Sequence, residues 1–192
     1  MTTIRLRTAC AVACALVGAL ADASPFTPPV DFAFGSGEHE VYLAIDWRDA
    51  SYPNALVWSF SYESETLSTV YDLMLALEAA DGGLSFGFNT DWGAPFLEEA
   101  VYDGSPLDLN RNTATSGASD YWSFWEYDVD TSWGFAGAGV SDTPLVPGSL
   151  YGFNYEPDWN DPSSPPGMIP EPGVFTLVLL GIGVLSWRRT RR

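Results

Sequence analysis

The chain has 192 residues, with 25 acidic and eight basic side chains, the latter all arginine, for a formal net charge of −17. At 46% hydrophobic and 15% aromatic it is too apolar for a disordered chain and can bury a core. The charge excludes a nucleic-acid binder, whose phosphates it would repel, and one histidine with two cysteines leaves almost no material for a zinc or thiol site.

The first 23 residues read as a secretory signal peptide. Arg5 and Arg7 form a positive start, Thr8 to Leu20 is a small apolar stretch, and Ala19-Leu20-Ala21 or Ala21-Asp22-Ala23 offers the small residues that signal peptidase needs. Cys10 and Cys14 both fall inside this stretch, so cleavage leaves a mature protein without cysteine.

At the other end, residues 169–192 have three parts. Pro170-Glu171-Pro172 precedes the apolar run Gly173 to Trp187, which is followed by Arg188, Arg189, Thr190, Arg191 and Arg192. Fifteen residues of helix span about 22 Å, short of the roughly 30 Å hydrocarbon core, which suits a temporary transmembrane hold. The arginines stay cytoplasmic, leaving everything before Pro170 outside. This tail resembles the PEP-CTERM sorting signal of Gram-negative bacteria. The resemblance implies a protein exported across the inner membrane, anchored transiently, processed by an exosortase and delivered to the cell surface or the extracellular medium.

Between the ends, removing Asp22 and Glu171 leaves 23 acids against Arg48 and Arg111, a net charge near −21. Such a surface repels itself at low ionic strength and is steadied by salt or divalent cations. Residues 24–155 are expected to form the globular domain, and 156–168, with four prolines and no periodicity, a semi-rigid stalk.

Within the domain, Val41 to Ile45 reads as a buried strand, and Leu56 to Tyr62 alternates with Trp58, Phe60 and Tyr62 on one face. Leu67, Val70, Tyr71, Met74, Leu75 and Leu77 recur at helical spacing, with Thr66 or Ser64 to cap the start and Gly82 to end it. Leu84 to Phe88, Tyr121 to Tyr127, Trp133 to Phe135 and Leu150 to Tyr155 read as strands, the last after a Pro147-Gly148 turn, while Asp103 to Asp120 reads as a polar loop. The order describes an α+β domain, a small mixed sheet wrapping one main helix in the manner of a β-grasp.

Four segments carry a thinner resemblance: Thr69-Val70-x-Asp72-Leu73-Met74, Tyr121-Trp122-Ser123-Phe124, Trp133 to Gly139, and Pro147-Gly148-Ser149-x-Tyr151-Gly152-Phe153. Together they are similar to a β-grasp family related to the C-terminal domain of the cobalamin carrier transcobalamin. The resemblance implies a ligand face near the Tyr-Trp strand and the glycine-containing segment after it.

Of 28 aromatic residues, all but Phe175 and Trp187 lie between the two ends. Tyr121, Trp122, Trp125 and Trp133 are the candidate ligand-binding residues, able to stack on a sugar or a flat cofactor if exposed and to fill a core if not. Asp108-x-Asn110-x-Asn112 resembles the start of a calcium loop, although Thr113 stands where a glycine is expected, so calcium is the one cofactor the pattern allows. Glu98-Glu99 makes a poor glycosidase pair, because adjacent residues on a strand point apart, and His39 between Glu38 and Glu40 supports no triad. The expected function is non-enzymatic: a structural or adhesive surface or matrix protein alongside exopolysaccharide. A corrinoid-type small-molecule module is the alternative, and a secreted hydrolase comes third.

Overall fold

The computed structural model describes residues 28–63, 66–91, 93–104, 106–113, 119–128, 132–160 and 162–167. The signal peptide and the sorting signal, with Pro170, Glu171, Pro172, Arg188, Arg189, Arg191 and Arg192, lie outside them. No helix among the described residues is long and apolar enough to cross a membrane.

Aromatic and β-branched runs separated by turn residues give most of the nine strands among the described residues. They are β1 Phe32–Gly35, β2 His39–Asp46, β3 Leu56–Tyr62, β4 Leu84–Asn89, β5 Phe96–Tyr102, β6 Leu109–Asn112, β7 Tyr121–Asp128, β8 Ser132–Phe135 and β9 Leu150–Glu156. A single described helix, α1 Val70–Ala80, lies between β3 and β4. The α+β class is as expected, but there are two sheets rather than one. Six strands form a mixed sheet in the order β1-β3-β2-β9-β7-β8, and β4-β5-β6 make a separate antiparallel sheet. β9 runs parallel to β2 and antiparallel to β7, so the last strand of the domain sits inside the large sheet.

The period of two along each strand sorts the side chains by face. Val41, Leu43 and Ile45 of β2, Leu56 and Trp58 of β3, Trp122 and Phe124 of β7, and Tyr151 and Phe153 of β9 turn inward to one apolar core. Leu84, Leu97, Ala100, Tyr102 and Leu109 of the small sheet close that core from the other side. Tyr102 stands edge-on to Trp58 with ring centroids 5.5 Å apart, and Trp47 Nε1 donates to the Ala100 carbonyl at 2.9 Å, joining the two layers.

The helix is capped by Thr69, later in the chain than either expected cap, Thr66 or Ser64. Thr69 Oγ1 accepts from Asp72 N at 3.2 Å, and Asp72 Oδ2 accepts from Thr69 N at 3.0 Å, a reciprocal capping box. The hydrogen bonds from Ser68 hold the Asp72 carboxyl below its ordinary range. Val70, Leu73, Met74 and Leu77 face the core, whereas Leu67 precedes the helix and Leu75 is 41% exposed. Thr69→Ala should lower stability by about 1 kcal/mol, measured by denaturant titration with an unchanged m-value.

The Pro147-Gly148 turn forms as expected. Gly148 has φ +80°, and Ser149 N donates to the Val146 carbonyl at 3.1 Å, the backbone of a type II turn, which favours glycine at that position.

Residues 162–167, read from composition as part of a stalk, lie against the outer face of the large sheet. Gly167 N donates to Asp46 Oδ2 at 2.7 Å, and Ala55 N donates to the Gly167 carbonyl at 3.4 Å. Beneath them Glu156, 1% exposed, accepts at Oε1 from Ser123 Oγ, Asn154 Nδ2 and Ser164 N at 3.0, 2.9 and 2.7 Å. Arg48 Nη2 stands 3.4 Å from Glu156 Oε2 and also bonds Ser164 Oγ. The segment is a strap, and the described fold runs to Gly167.

Candidate functional site

The candidate site begins with a fault in the small sheet. β4 and β5 pair from Leu84↔Tyr102 to Gly87↔Glu99 and resume at Phe88↔Leu97, which leaves Glu98 as an extra residue on β5. Counting back from buried Tyr102 and Ala100, unbroken alternation would turn Glu98 into the core. The bulge gives that place to Leu97 and leaves Glu98 half-buried. Bulges bend a strand and re-aim its side chains in this way. Glu98 Oε1 accepts from Asn89 Nδ2 at 3.3 Å, and the Glu98 carbonyl accepts from Thr113 Oγ1 at 3.0 Å.

Leu97 and Glu98 form one wall of a cleft of about 480 Å³ between the sheets. Tyr121, Trp122 and Phe124 of β7 and Phe153 of β9 form the facing wall, and the segment Ala136 to Val140 lines it further. At the mouth the Tyr121 and Trp159 rings stack, with centroids 4.1 Å apart and planes 12° from parallel. Trp159 is 62% exposed, and Phe96 and Phe135 on the rim are 48% and 60% exposed. Large apolar groups left in water around a concave surface mark a binding surface more often than a structural one.

Polar groups converge on the same end. Asp120 Oδ2 accepts from Tyr155 OH at 2.6 Å. Burial, and then that carboxylate, push the Tyr155 hydroxyl up to about 12. The Arg111 guanidinium lies 5.3 Å from the Tyr155 ring centroid and 3.4 Å from Asp49 Oδ2. Trp122 lines the cleft, and its indole N–H is buried and meets no acceptor among the described residues.

Tyr42 is likewise pushed up to about 12 by burial and by Glu40, and burial raises Tyr52, Tyr62, Tyr102 and Tyr151. Folded values above those of the unfolded chain mean that the fold favours the neutral phenols. That contribution is complete below pH 10 and is lost as the pH climbs from 10 through 12. Alkaline unfolding is expected in that window, with tyrosinate absorbance rising together with the loss of near-ultraviolet dichroism.

The structure divides the four aromatic candidates between two places. Tyr121 and Trp122 line the cleft. Trp125 and Trp133 lie on the outer face of the sheet: Trp125 Nε1 donates to Ser123 Oγ at 2.8 Å, and Trp133 meets Tyr127 edge-on at 5.3 Å. A Cβ on Gly152 would stand 2.7 Å from both Trp133 and Pro166 of the strap, so glycine is what lets these groups cross β9. Trp125 and Trp133 are therefore packing groups on the outer face, Trp133 beside Pro166 of the strap, and the four do not share one binding face.

The calcium pattern meets a different backbone. Asn110 and Asn112 belong to β6 and pair with Val101 and Glu99, with Asp108 just before the strand. Side chains two apart on a strand are separated by about 6.5–7 Å along a line, whereas a calcium loop curls its ligands around one point. Within the expected polar loop, Leu109–Asn112 is a strand. Among the described residues, no three or more His, Cys, Asp or Glu come together in a way that could hold a metal ion.

The cleft also uses residues that spacing alone does not single out. Trp159 lies in the proline-rich segment, and Glu98 stands in an apolar strand as half of an acidic pair. Their signal was available only as an aromatic outside any strand and an acid breaking a hydrophobic alternation. Compared with known proteins, the chain matches no family model and no curated protein.

Proposed function

We propose that the chain is an exported, exosortase-sorted surface or extracellular-matrix protein with a non-enzymatic, adhesive role. The observation that carries this is the C-terminal succession of Pro170-Glu171-Pro172, the apolar run 173–187 and the arginine cluster 188–192. In this reading signal peptidase removes residues 1–23, the C-terminal helix holds the chain in the inner membrane, and the exosortase processes the tail. The folded domain then works outside, alongside exopolysaccharide. The aromatic rim of the cleft supports an adhesive face, since water-exposed rings lose little and gain much on contact.

The test is processing. In the native host the tail-less form should accumulate in the surface or medium fraction, and intact mass should show loss of the arginine cluster. Pro170→Ala with Pro172→Ala, or deletion of the exosortase, should trap full-length protein in the membrane. Full-length protein in the medium of the deletion strain would defeat the reading.

The arrangement of the large sheet favours one alternative, the corrinoid-type β-grasp module. The β2–β3 hairpin, α1, and then β7, β8 and β9, with β9 inserted parallel to β2, fit a β-grasp with β4-β5-β6 as an insertion. A stoichiometric corrinoid-dependent rise in Tm would select it.

A further inference from the structure

We propose that the inter-sheet cleft binds a glycan whose sugars carry free amino groups, with a sugar face on the Tyr121–Trp159 stack and ammonium groups against Glu98 and Asp120. This rests on the adhesive reading and names the ligand class of that same site. A flat ring pair left in water at a cleft mouth offers an apolar face of the size of a pyranose ring, and an indole face also attracts a cation. Trp122 lines the same cleft, and its ring adds apolar area beside the stack.

Charge chooses among glycans. Glu98 and Asp120 line the cleft. Asp158 adjoins Trp159, and the backbone N–H of Asn160 holds its carboxyl below the ordinary range, so it stays ionised in mild acid. Among the described residues no arginine lines the cleft, and Arg111 is engaged by Asp49 and the Tyr155 ring. A uronate polymer meets repulsion at every one of these carboxylates, a neutral polymer meets only their acceptor capacity, and an amino-sugar polymer meets opposite charge. The bulge at Glu98 fits the assignment, because regular pairing would have buried that carboxylate in the core.

The experiment is calorimetric titration of the full-length protein with the glucosamine hexamer, the N-acetylglucosamine hexamer and cellohexaose. The amino hexamer should bind at one site per chain, at least tenfold more tightly than the other two, and weaken at least fivefold between 50 and 300 mM salt. Because a polycation adheres to any acidic surface, Trp159→Ala is the deciding variant: it should cost at least tenfold in affinity while leaving Tm unchanged. Glu98→Gln and Asp120→Asn should each weaken binding and flatten its salt dependence. Unchanged affinity in Trp159→Ala, equal binding of the N-acetyl hexamer, or no saturable binding overturns the proposal. If binding fails while the tail is still processed and the protein still adheres to its matrix, the amino-glycan site falls and the adhesive reading stands. If processing and adhesion also fail, both fall.

Discussion

Replacing Trp58 with alanine is expected to cost about 3–5 kcal/mol, the range for emptying a large aromatic site in a core. Trp58 is 0% exposed and sits where three elements meet. Phe32 of β1 stacks on it at 5.2 Å, Trp47 and Tyr102 stand edge-on at 6.2 and 5.5 Å, and its Nε1 donates to Asp81 Oδ2 at 2.8 Å. The alanine variant therefore loses one of the contacts between the sheets, that with Tyr102, and strips Asp81, which closes the helix, of a donor. Against a total of roughly 5–15 kcal/mol for a domain, much of the population should be unfolded by mild heating. Trp58→Phe separates the two effects. It keeps most of the volume and should cost about 1.5–3 kcal/mol, largely the hydrogen bond to a charged acceptor. Chemical denaturation of both variants reads the difference.

The second large effect belongs to Glu156. Its Oε1 gathers three donors from β7, β9 and the strap, so Glu156→Ala leaves Ser164 N without an acceptor and takes one of two or more acceptors from Ser123 Oγ and Asn154 Nδ2, which keep the Asn154 and Ser164 carbonyls. A buried donor left unpaired costs about 1–3 kcal/mol. Arg48, 38% exposed, can turn to water, so the loss is set by those donors rather than by a stranded charge. The cheapest relief is for the strap to lift and let water reach Ser164. A net cost of about 2–4 kcal/mol is expected, together with faster amide exchange at Ser164, Gly167 and Ala55. Glu156→Gln retains an oxygen acceptor and should lose less than half as much. Unchanged exchange at those three amides in the alanine variant would show that the strap is held by other contacts.

Where a segment's own residues decide its conformation, the sequence was readable. β2, β3, β4, β7, β8 and β9 announced themselves as apolar or alternating runs, and the helix by the spacing of Val70, Met74 and Leu77. Its start was misplaced because several Ser and Thr residues compete for the cap, and only the pairing of Thr69 with Asp72 three residues on singles out the right one. β1 is four residues long, and β6, Leu-Asn-Arg-Asn, is polar. Neither is a strand by composition; each is made one by the partner it lies beside. β5 is hidden because two adjacent glutamates interrupt its apolar alternation, and only the bulge opposite Gly87 and Phe88 accommodates them. The strap carried no local signal at all, because proline and serine look the same in a tether as in a segment pinned by buried Glu156 and Asp46.

The candidate site was half legible for the same reason. Tyr121 and Trp122 stand on a strand that the pattern located, so their place at the cleft follows from β7. Trp125 and Trp133 share that aromatic character, but they stand on the outer face of the sheet, where Trp125 bonds Ser123 and Trp133 meets the strap beside Gly152. Trp159 stacks on Tyr121 from 38 residues further along the chain, a separation that no periodicity spans.

The position of β9 has a consequence in time. Residues 42 and 150 lie side by side although nearly the whole domain separates them along the chain, so the middle of the large sheet is completed only by its last strand. A chain emerging from its N-terminus cannot close the sheet early; until Leu150 to Glu156 arrives, β2 and β7 each keep an unpaired edge. Pairings of such long sequence separation fold slowly. A chain stopped before Leu150 should remain open, with bare apolar strand edges that aggregate, and turnover of such fragments rather than their refolding should be their fate.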